Sequence, residues 1–387
     1  MSEIKALKPT VEILYAEELA ALEANDNGPK PANWRLSPKA VRTFILGSSK
    51  PLKLKRKNVN VTKKFYGDDT LIERCIITLA GNRGLMLVGE PGTAKTMLSE
   101  LLSAAICGCS TNTIQGTAGT TEDMIKYTWN YALLLAKGPV KEALVPSPLY
   151  IGMQKGIITR FEEITRCPAE VQDSLISVLS DKVLNIPEFG EEGLLCASPG
   201  FNVIATANTR DRGVNEMSSA LKRRFNFETV FPISDVSLEA KIIEGEVEKL
   251  IKNSNIDMEV DRDAAEILAT TFHELREGIS SEGSRIDKPS AVMSTAEAVS
   301  VYYQTLMSSF YYGDSKIDMS TMVQNILGSV LKESREDADK LRSYFNIVVK
   351  GKSAKWVVTG RISMKLKSGL NKGGASMGKK YRQSGYR

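Results

Sequence analysis

Histidine is almost missing from this chain. His273 is the one histidine in 387 residues, so imidazole catalysis is close to excluded and a multi-histidine metal cage has no ligands to draw on. We read His273, in the run FHEL, as an ordinary helix residue. Cysteine is scarce and poorly spaced for a ligand set. Cys75, Cys107, Cys109, Cys167 and Cys196 are odd in number and only Cys107 and Cys109 stand close, which argues against structural zinc. That pair reads as small, buried, reduced thiols at a helix end. No apolar run approaches the ~20 residues of a membrane span, and the N-terminus MSEIKALKPT lacks the apolar segment of a signal peptide. A cytoplasmic protein is expected. Acid is missing from Lys350 to Arg387, which hold eleven Lys or Arg; the first 349 residues carry 40 basic against 46 acidic side chains. The formal charge of +5 therefore joins a mildly acidic body to a strongly basic tail. The length suits two domains, or one large domain with a satellite.

What is present is organised around Leu85 to Leu98, LMLVGEPGTAKTML. Leu85–Val88 has the length and composition of a buried strand, the segment from Gly89 to Thr96 breaks it, and an apolar helix to about Ile106 follows. A polyphosphate needs donors on many oxygens at once, and backbone N–H groups reach them only where side chains stay clear. The loop Gly89, Glu90, Pro91, Gly92, Thr93, Ala94, Lys95, Thr96 and Met97 meets that need. Lys95 supplies an ammonium, Thr96 a hydroxyl for Mg²⁺, and the helix aims its positive end at the anion. Ala94 stands where G-x-x-x-x-G-K-[ST] has its second glycine, which calls for a negative φ or carries a small cost.

A second apolar strand, from Ile157 to Phe161, ends in Glu162 and Glu163. An ATPase needs one carboxylate to hold the Mg²⁺ shell and one to orient the attacking water, and these roles fall to Glu162 and Glu163 in turn. Thr159 and Arg160 are unusual inside such a strand. A third strand, Phe201 to Thr206, leads to Asn208, placed to reach the γ-phosphate or the water. Arg223 and Arg224 then precede Phe225. Two arginines there fit a solvated face, or a rigid edge from which one reaches a neighbour's triphosphate.

Around these elements the pattern predicts an amphipathic helix over Val11–Ala24 that docks on another surface such as a neighbouring subunit, a linker NDNGPKPAN, and a helix over Ser37–Leu46. Lys50–Lys64 reads as a solvated, extended basic segment rather than a nucleic-acid contact. A helix over Leu71–Asn82, a strand over Thr111–Gln115, a loop over Gly116–Thr121 that suits a pore, a phosphate or a helix cap, a helix over Thr121–Ala136 and another over Ala169–Leu179 complete the α/β part. From Ser234 the pattern is helical, with a capping box at Ser294–Glu297 and last helices over Met319–Leu331 and Arg335–Val349. The expected boundaries are an N-terminal segment 1–60, a nucleotide-binding α/β domain 61–233, a helical lid 234–349 and a basic tail 350–387 with a strand possible at Trp356–Thr359.

GEPGTAKT, FEEITRCPAEVQDSLISVLSD, FNVIATANTRDRGVNE and SSALKRRF stand in the order of the Walker A, Walker B, sensor 1 and arginine-finger segments of the MoxR branch of AAA+ ATPases, which the chain resembles from about Phe65 to Leu306. PSAVMSTAEAVSVYY resembles the start of the sensor 2 helix. The resemblance implies a P-loop AAA+ core, a parallel sheet flanked by helices, followed by a small all-helical lid. It implies ATP and Mg²⁺ as cofactors. Lys95 binds phosphate in that scheme, Thr96 and Glu162 hold the metal, Glu163 activates water, Asn208 senses the γ-phosphate, and Arg224, with Arg223 as the alternative, is the finger. Phe65, Tyr66 and Gly67 fall where such proteins hold adenine, and Arg285 or Lys288 stands in for sensor 2. Glu162 replaces the usual Asp, a departure that points to slow hydrolysis. The expected function is a hexameric, chaperone-like ATPase that remodels or activates a partner carrying a von Willebrand factor A domain. The alternatives are a nucleotide-gated scaffold with negligible hydrolysis and, behind it, a nucleic-acid motor.

Overall fold

A computed structural model of the chain describes residues 9–209, 215–254, 256–313, 317, 319–331 and 336–348. The basic tail and the strand expected at Trp356–Thr359 lie outside the described residues. The chain divides into two compact units, Met1–Phe231 and Pro232–Arg387.

The first unit opens with α1 (Val11–Leu14), α2 (Ala16–Asn25) and α3 (Pro38–Leu46), then a hairpin of β1 (Leu52–Leu54) and β2 (Lys57–Val59). Ser37 starts α3 by accepting the Ala40 N–H, with Pro38 at the first helical position. The first expected helix is broken at Tyr15. After α4 (Asp69–Ala80) come the strand β3 (Gly84–Gly89), the helix α5 (Lys95–Cys107) and β4 (Thr113–Gln115). The expected docking of the N-terminal helix on another surface is corrected here. Leu19, Leu22, Trp34, Leu36 and Phe44 are buried in one core with Leu98, Leu101 and Leu102 of α5, and the Arg35 N–H donates to Ile106 O at 2.6 Å. Chain connectivity keeps most of that apolar surface against its own domain, while Ile13 and Leu14 of α1 remain exposed. The basic segment is largely exposed, as expected, except at its end. Lys64 is buried, its Nζ donating to Glu18 at 2.5 Å and to Phe44 O at 2.9 Å, with the Tyr15 and Phe44 rings 4.6 and 4.3 Å away.

Where one helix was expected over Thr121–Ala136, the chain forms α6 (Glu122–Ile125), β5 (Tyr127–Trp129) and α7 (Tyr131–Lys137). The strand β5 pairs antiparallel with β6 (Leu144–Pro146), and this distant partner overrides the local helical pattern. Then follow α8 (Pro148–Lys155), β7 (Ile158–Glu162), α9 (Ala169–Asp173) and α10 (Leu175–Ser180), the last two being the expected Ala169–Leu179 helix interrupted at Ser174. A hairpin of β8 (Val183–Asn185) and β9 (Leu194–Cys196) precedes β10 (Asn202–Asn208), α11 (Ser219–Lys222) and β11 (Phe225–Val230).

Five strands form one parallel sheet in the order β11-β3-β10-β7-β4. Alternate residues face opposite sides. Leu85, Leu87, Ile158, Ile204 and Val230 enter the core with α3, α4 and α5, whereas Met86, Phe161, Val203, Ala205 and Phe225 enter a second core with α8, α10 and α11. Burial on both faces explains why β3 and the middle of β10 read as continuous apolar runs. Parallel register sets Asn208 beside Gly89 and Phe161 beside Ala205, so the loops after β3, β7 and β10 leave from one edge.

The second unit is helical: α12 (Val236–Asn253), α13 (Arg262–Glu277), α14 (Thr295–Tyr312), α15 (Met319–Val330) and α16 (Glu336–Ile347). Phe272, Tyr302 and Tyr344 lie at its core. Ser294 and Glu297 form the reciprocal capping box that opens α14. A buried pair, Glu239 with Arg276 at 2.9 Å, ties α12 to α13.

Candidate functional site

The loop between β3 and α5 is shaped for close backbone approach. A Cβ at Gly89 would meet Val230 O at 2.4 Å; Gly92 has φ 77°. Ala94, at the N-cap of α5, also adopts the left-handed conformation, φ 65° and ψ 23°, so the structure takes the costlier of the two conformations weighed from sequence. Lys95 is buried, and its Nζ donates to Gly89 O at 3.1 Å and Glu90 O at 2.7 Å, within the loop it would use to grip phosphate. Thr93 Oγ1 donates to Glu90 O at 2.9 Å and braces the turn around Pro91. Thr96 and Met97 are exposed on the first turn of α5.

Glu162, the last residue of β7, is 4% exposed and has both oxygens engaged. Oε2 accepts from Thr96 Oγ1 at 3.0 Å and Thr206 Oγ1 at 2.7 Å. Oε1 accepts from Ser99 Oγ at 2.8 Å and from Arg160 Nη2 at 2.6 Å. Sequence reasoning placed Thr96 and Glu162 together, as found, but assigned no role to Ser99, Arg160 or Thr206. Ser99 was detectable, being three residues after Thr96 and so on the same helix face. Thr206 was visible only through strand register.

Glu163 follows in the left-handed region at φ 54°. Its N–H donates to Thr206 Oγ1 at 3.0 Å, so one threonine holds both acidic residues. Its half-exposed carboxylate pairs with Arg166 at 2.8 Å. The loop after β4 abuts this corner. The Gly116 N–H donates to Glu162 O at 2.7 Å, and a Cβ on Gly116 would stand 2.5 Å from Glu163 O. Asn208, at the end of β10, is beside Gly89. The structure thus gathers Lys95, Thr96, Glu162, Glu163 and Asn208 at one sheet edge, where parallel α/β folds hold ligands.

Other expected residues fall elsewhere. The Phe65 side chain is spent in the core, leaving Tyr66 half-buried, its hydroxyl 3.4 Å from Lys63 O, and Gly67 exposed. The two arginines differ. Arg224 donates to Ser180 Oγ at 2.8 Å and to Ala220 O at 2.7 Å within its own chain, whereas Arg223 is exposed. Arg285 and Lys288 are exposed in the second unit. Cys107 and Cys109 are half-buried, not buried; burial is still enough to push the Cys107 thiol up to about 11.

The donor set fits a nucleotide polyphosphate. It combines a side-chain-free loop, a buried ammonium and a helix N-terminus of thirteen residues. Among the described residues no group of three or more His, Cys, Asp or Glu is placed to hold a metal alone. Thr96 and Glu162, in contact at 3.0 Å, are the residues that would hold magnesium, which usually takes one or two protein ligands, water and substrate phosphate.

Residues 84–225 match the family described as an AAA domain of the dynein-related subfamily, and residues 237–370 match the YehL-like AAA+ ATPase C-terminal domain. The Escherichia coli (strain K12) protein YehL is 49% identical over 351 residues, covering 90% of this chain and 94% of YehL. The chain belongs to the YehL-like AAA+ ATPases. Within this wider similarity, the Staphylococcus haemolyticus protein SH1500 is 31% identical over 148 residues, 37% of this chain and 54% of that protein. NtrX from Brucella abortus in complex with ATP has a similar fold at a TM-score of 0.49 and 12% identity, covering 81% of this chain and 70% of NtrX. Thermotoga maritima RuvB, as a point mutant, gives 0.42 at 17% identity, over 75% and 80% of the two chains. Among its described residues, this YehL-like chain has no helix long and apolar enough to cross a membrane.

Proposed function

We propose that this chain is a MoxR-like, Mg²⁺-dependent ATPase that assembles into a ring, as a hexamer, and uses ATP binding and hydrolysis to remodel or activate a partner protein in the cytoplasm. The observation that carries the reading is the convergence of Lys95, Thr96, Glu162, Glu163 and Asn208 on one edge of the sheet. In this reading Lys95 and the loop amides bind the phosphates, Thr96 and Glu162 hold the metal, and Asn208 reports the γ-phosphate. Glu163 orients water once its carboxylate leaves Arg166. The metal supplies charge neutralisation of the transferring phosphoryl group.

Ring assembly follows from the arginines, because a guanidinium that does not serve its own site has a use in a neighbour's. Arg224 is already committed to Ser180 and Ala220, so the exposed Arg223 takes the role of finger, reversing the order expected from sequence. Tyr66 and Gly67 remain candidates for the adenine side and Arg285 for sensor 2. The MoxR resemblance makes a partner with a von Willebrand factor A domain the first client to test.

The assay is phosphate release from ATP with Mg²⁺. Glu163→Gln is expected to lower turnover about 10²–10⁴-fold, as for loss of a general base, while ATP binding persists. A pull-down with this variant in ATP then identifies the client. A second reading, the nucleotide-gated scaffold, is favoured by the internal ion pair of Glu162 with Arg160; wild-type protein that binds ATP without releasing phosphate would establish it. Wild-type protein that binds no ATP would overturn both.

A further inference from the structure

We propose that Arg160 is a positioning residue for the metal-side carboxylate, and that Arg160 and Glu162 form one unit in which the guanidinium fixes Oε1 so that Oε2 stays on Thr96. The inference rests on the nucleotide-binding reading above and deepens it. Residues two apart on a strand share a face, so both side chains leave β7 toward α5. Arg160 is itself held at every nitrogen. Nε donates to Ser99 Oγ at 2.8 Å, Nη1 to Ser110 O at 2.6 Å and Thr113 Oγ1 at 3.1 Å, and Nη2 to Glu162 Oε1 at 2.6 Å, with Glu100 a further 3.8 Å contact. The two side chains of the pair are 5% and 6% exposed. A buried charge is tolerated only when paired and hydrogen-bonded, and here each ion is the other's nearest counter-charge.

The unusual glutamate acquires a reason from this geometry. Its carboxylate divides its work, Oε1 anchored by Arg160 and Ser99, Oε2 turned to Thr96 and Thr206. Aspartate would draw the carboxylate back by about one C–C bond, ~1.5 Å. The 2.6 Å contact to Nη2 would open beyond hydrogen-bonding range, or Oε2 would have to leave Thr96. The shorter residue common to related ATPases is therefore expected to fail here while Arg160 is present. It should serve once Arg160 is replaced by an apolar residue that needs no counter-ion.

A purely structural Arg160 would brace β4, β7 and α5 with no bearing on metal linkage, so the test reads metal linkage. The affinity of the full chain for a fluorescent ADP analogue is measured in Mg²⁺ and again in EDTA, and the ratio of the two is compared among variants whose fold is checked by circular dichroism. Glu162→Asp should reduce that ratio about 10–100-fold, because it breaks the contact to Arg160 behind the carboxylate, and loss of such a supporting contact usually costs that much. The double variant Arg160→Leu/Glu162→Asp should recover it to near the wild-type value. Arg160→Lys keeps a buried cation but loses the fork that spans Ser99, Ser110, Thr113 and Glu162; it should lower the ratio with affinity in EDTA unchanged, and it carries the test if the leucine variant does not fold. A wild-type ratio for Glu162→Asp or for Arg160→Lys, or a folded double variant whose ratio is no higher than that of Glu162→Asp alone, would overturn the proposal. Wild-type protein that binds no nucleotide would instead sink the reading on which it rests.

Discussion

Ala94 is expected to be a point of stored strain, and replacing it with glycine should stabilise the protein. The residue is left-handed at φ 65° and ψ 23° where α5 begins. For an L-residue that conformation costs about 1–2 kcal/mol, while glycine adopts it freely but gives up about 0.5–1 kcal/mol of chain entropy. The difference leaves Ala94→Gly more stable by about 0.5–1 kcal/mol. For a unit the size of Met1–Phe231, about 2–4 °C accompanies each kcal/mol, so Tm should rise by about 1–4 °C. Thermal unfolding of nucleotide-free protein followed by tryptophan fluorescence suits the measurement, because Trp34 and Trp129 both belong to this unit. Ala94→Val is the opposing control, since a β-branched residue is least tolerant of positive φ, and its Tm should fall. A glycine variant no more stable than wild type, together with a valine variant no less stable, would refute the backbone assignment.

Leu36 is fully buried in the core that joins the N-terminal helices to α5, so Leu36→Ala should cost about 2–5 kcal/mol in urea unfolding; a loss well under that would detach this segment from the core. Arg223→Ala should lower phosphate release by about 10³-fold or more, as for loss of an arginine finger, with Tm unchanged. Arg224→Ala should instead cost about 1–2 kcal/mol of stability through its lost hydrogen bonds to Ser180 and Ala220, and the reverse pattern would reassign the finger. Asp26 makes stability acid-sensitive. Burial pulls its carboxyl up, but hydrogen bonds from the Ser37 hydroxyl and amide and the Gly28 amide outweigh it, and the group stays below its ordinary 3.8. A depressed carboxyl stabilises fully above its unfolded value and loses that contribution as pH falls through the folded one. Asp26→Asn should therefore flatten the decline in urea midpoint below about pH 4, and an unchanged slope would exclude Asp26 as its source.

The phosphate loop was legible because its constraints are local. A buried strand, a loop that cannot tolerate side chains and a following helix are written in consecutive residues, and the structure finds them at Gly84–Gly89 and Lys95–Cys107. The capping box at Ser294 and Glu297 was legible for the same reason. The segment Thr121–Ala136 was not. Its apolar spacing satisfies a helix, and only pairing of Tyr127–Trp129 with Leu144–Pro146 makes part of it a strand. Arg160 was illegible for a different reason. A charge inside an apolar strand contradicts the pattern that identifies the strand, and its partners come from α5, β4 and the loop between them as well as from β7. Long-range charge satisfaction leaves no periodic trace.

That arrangement bears on how the site is charged before any nucleotide arrives. In the proposed reading, an unpaired carboxylate at Glu162 would hold a free negative charge against the loop between β3 and α5 and repel the phosphates. Arg160 removes that repulsion from behind, and Thr96, Ser99 and Thr206 share the remaining hydrogen bonds. Lys95 meanwhile contacts the loop carbonyls of Gly89 and Glu90, where the phosphates would lie. In the proposed reading the phosphates must bring the charge that retains magnesium, so nucleotide and metal enter together, and Glu162 orients a complex already formed.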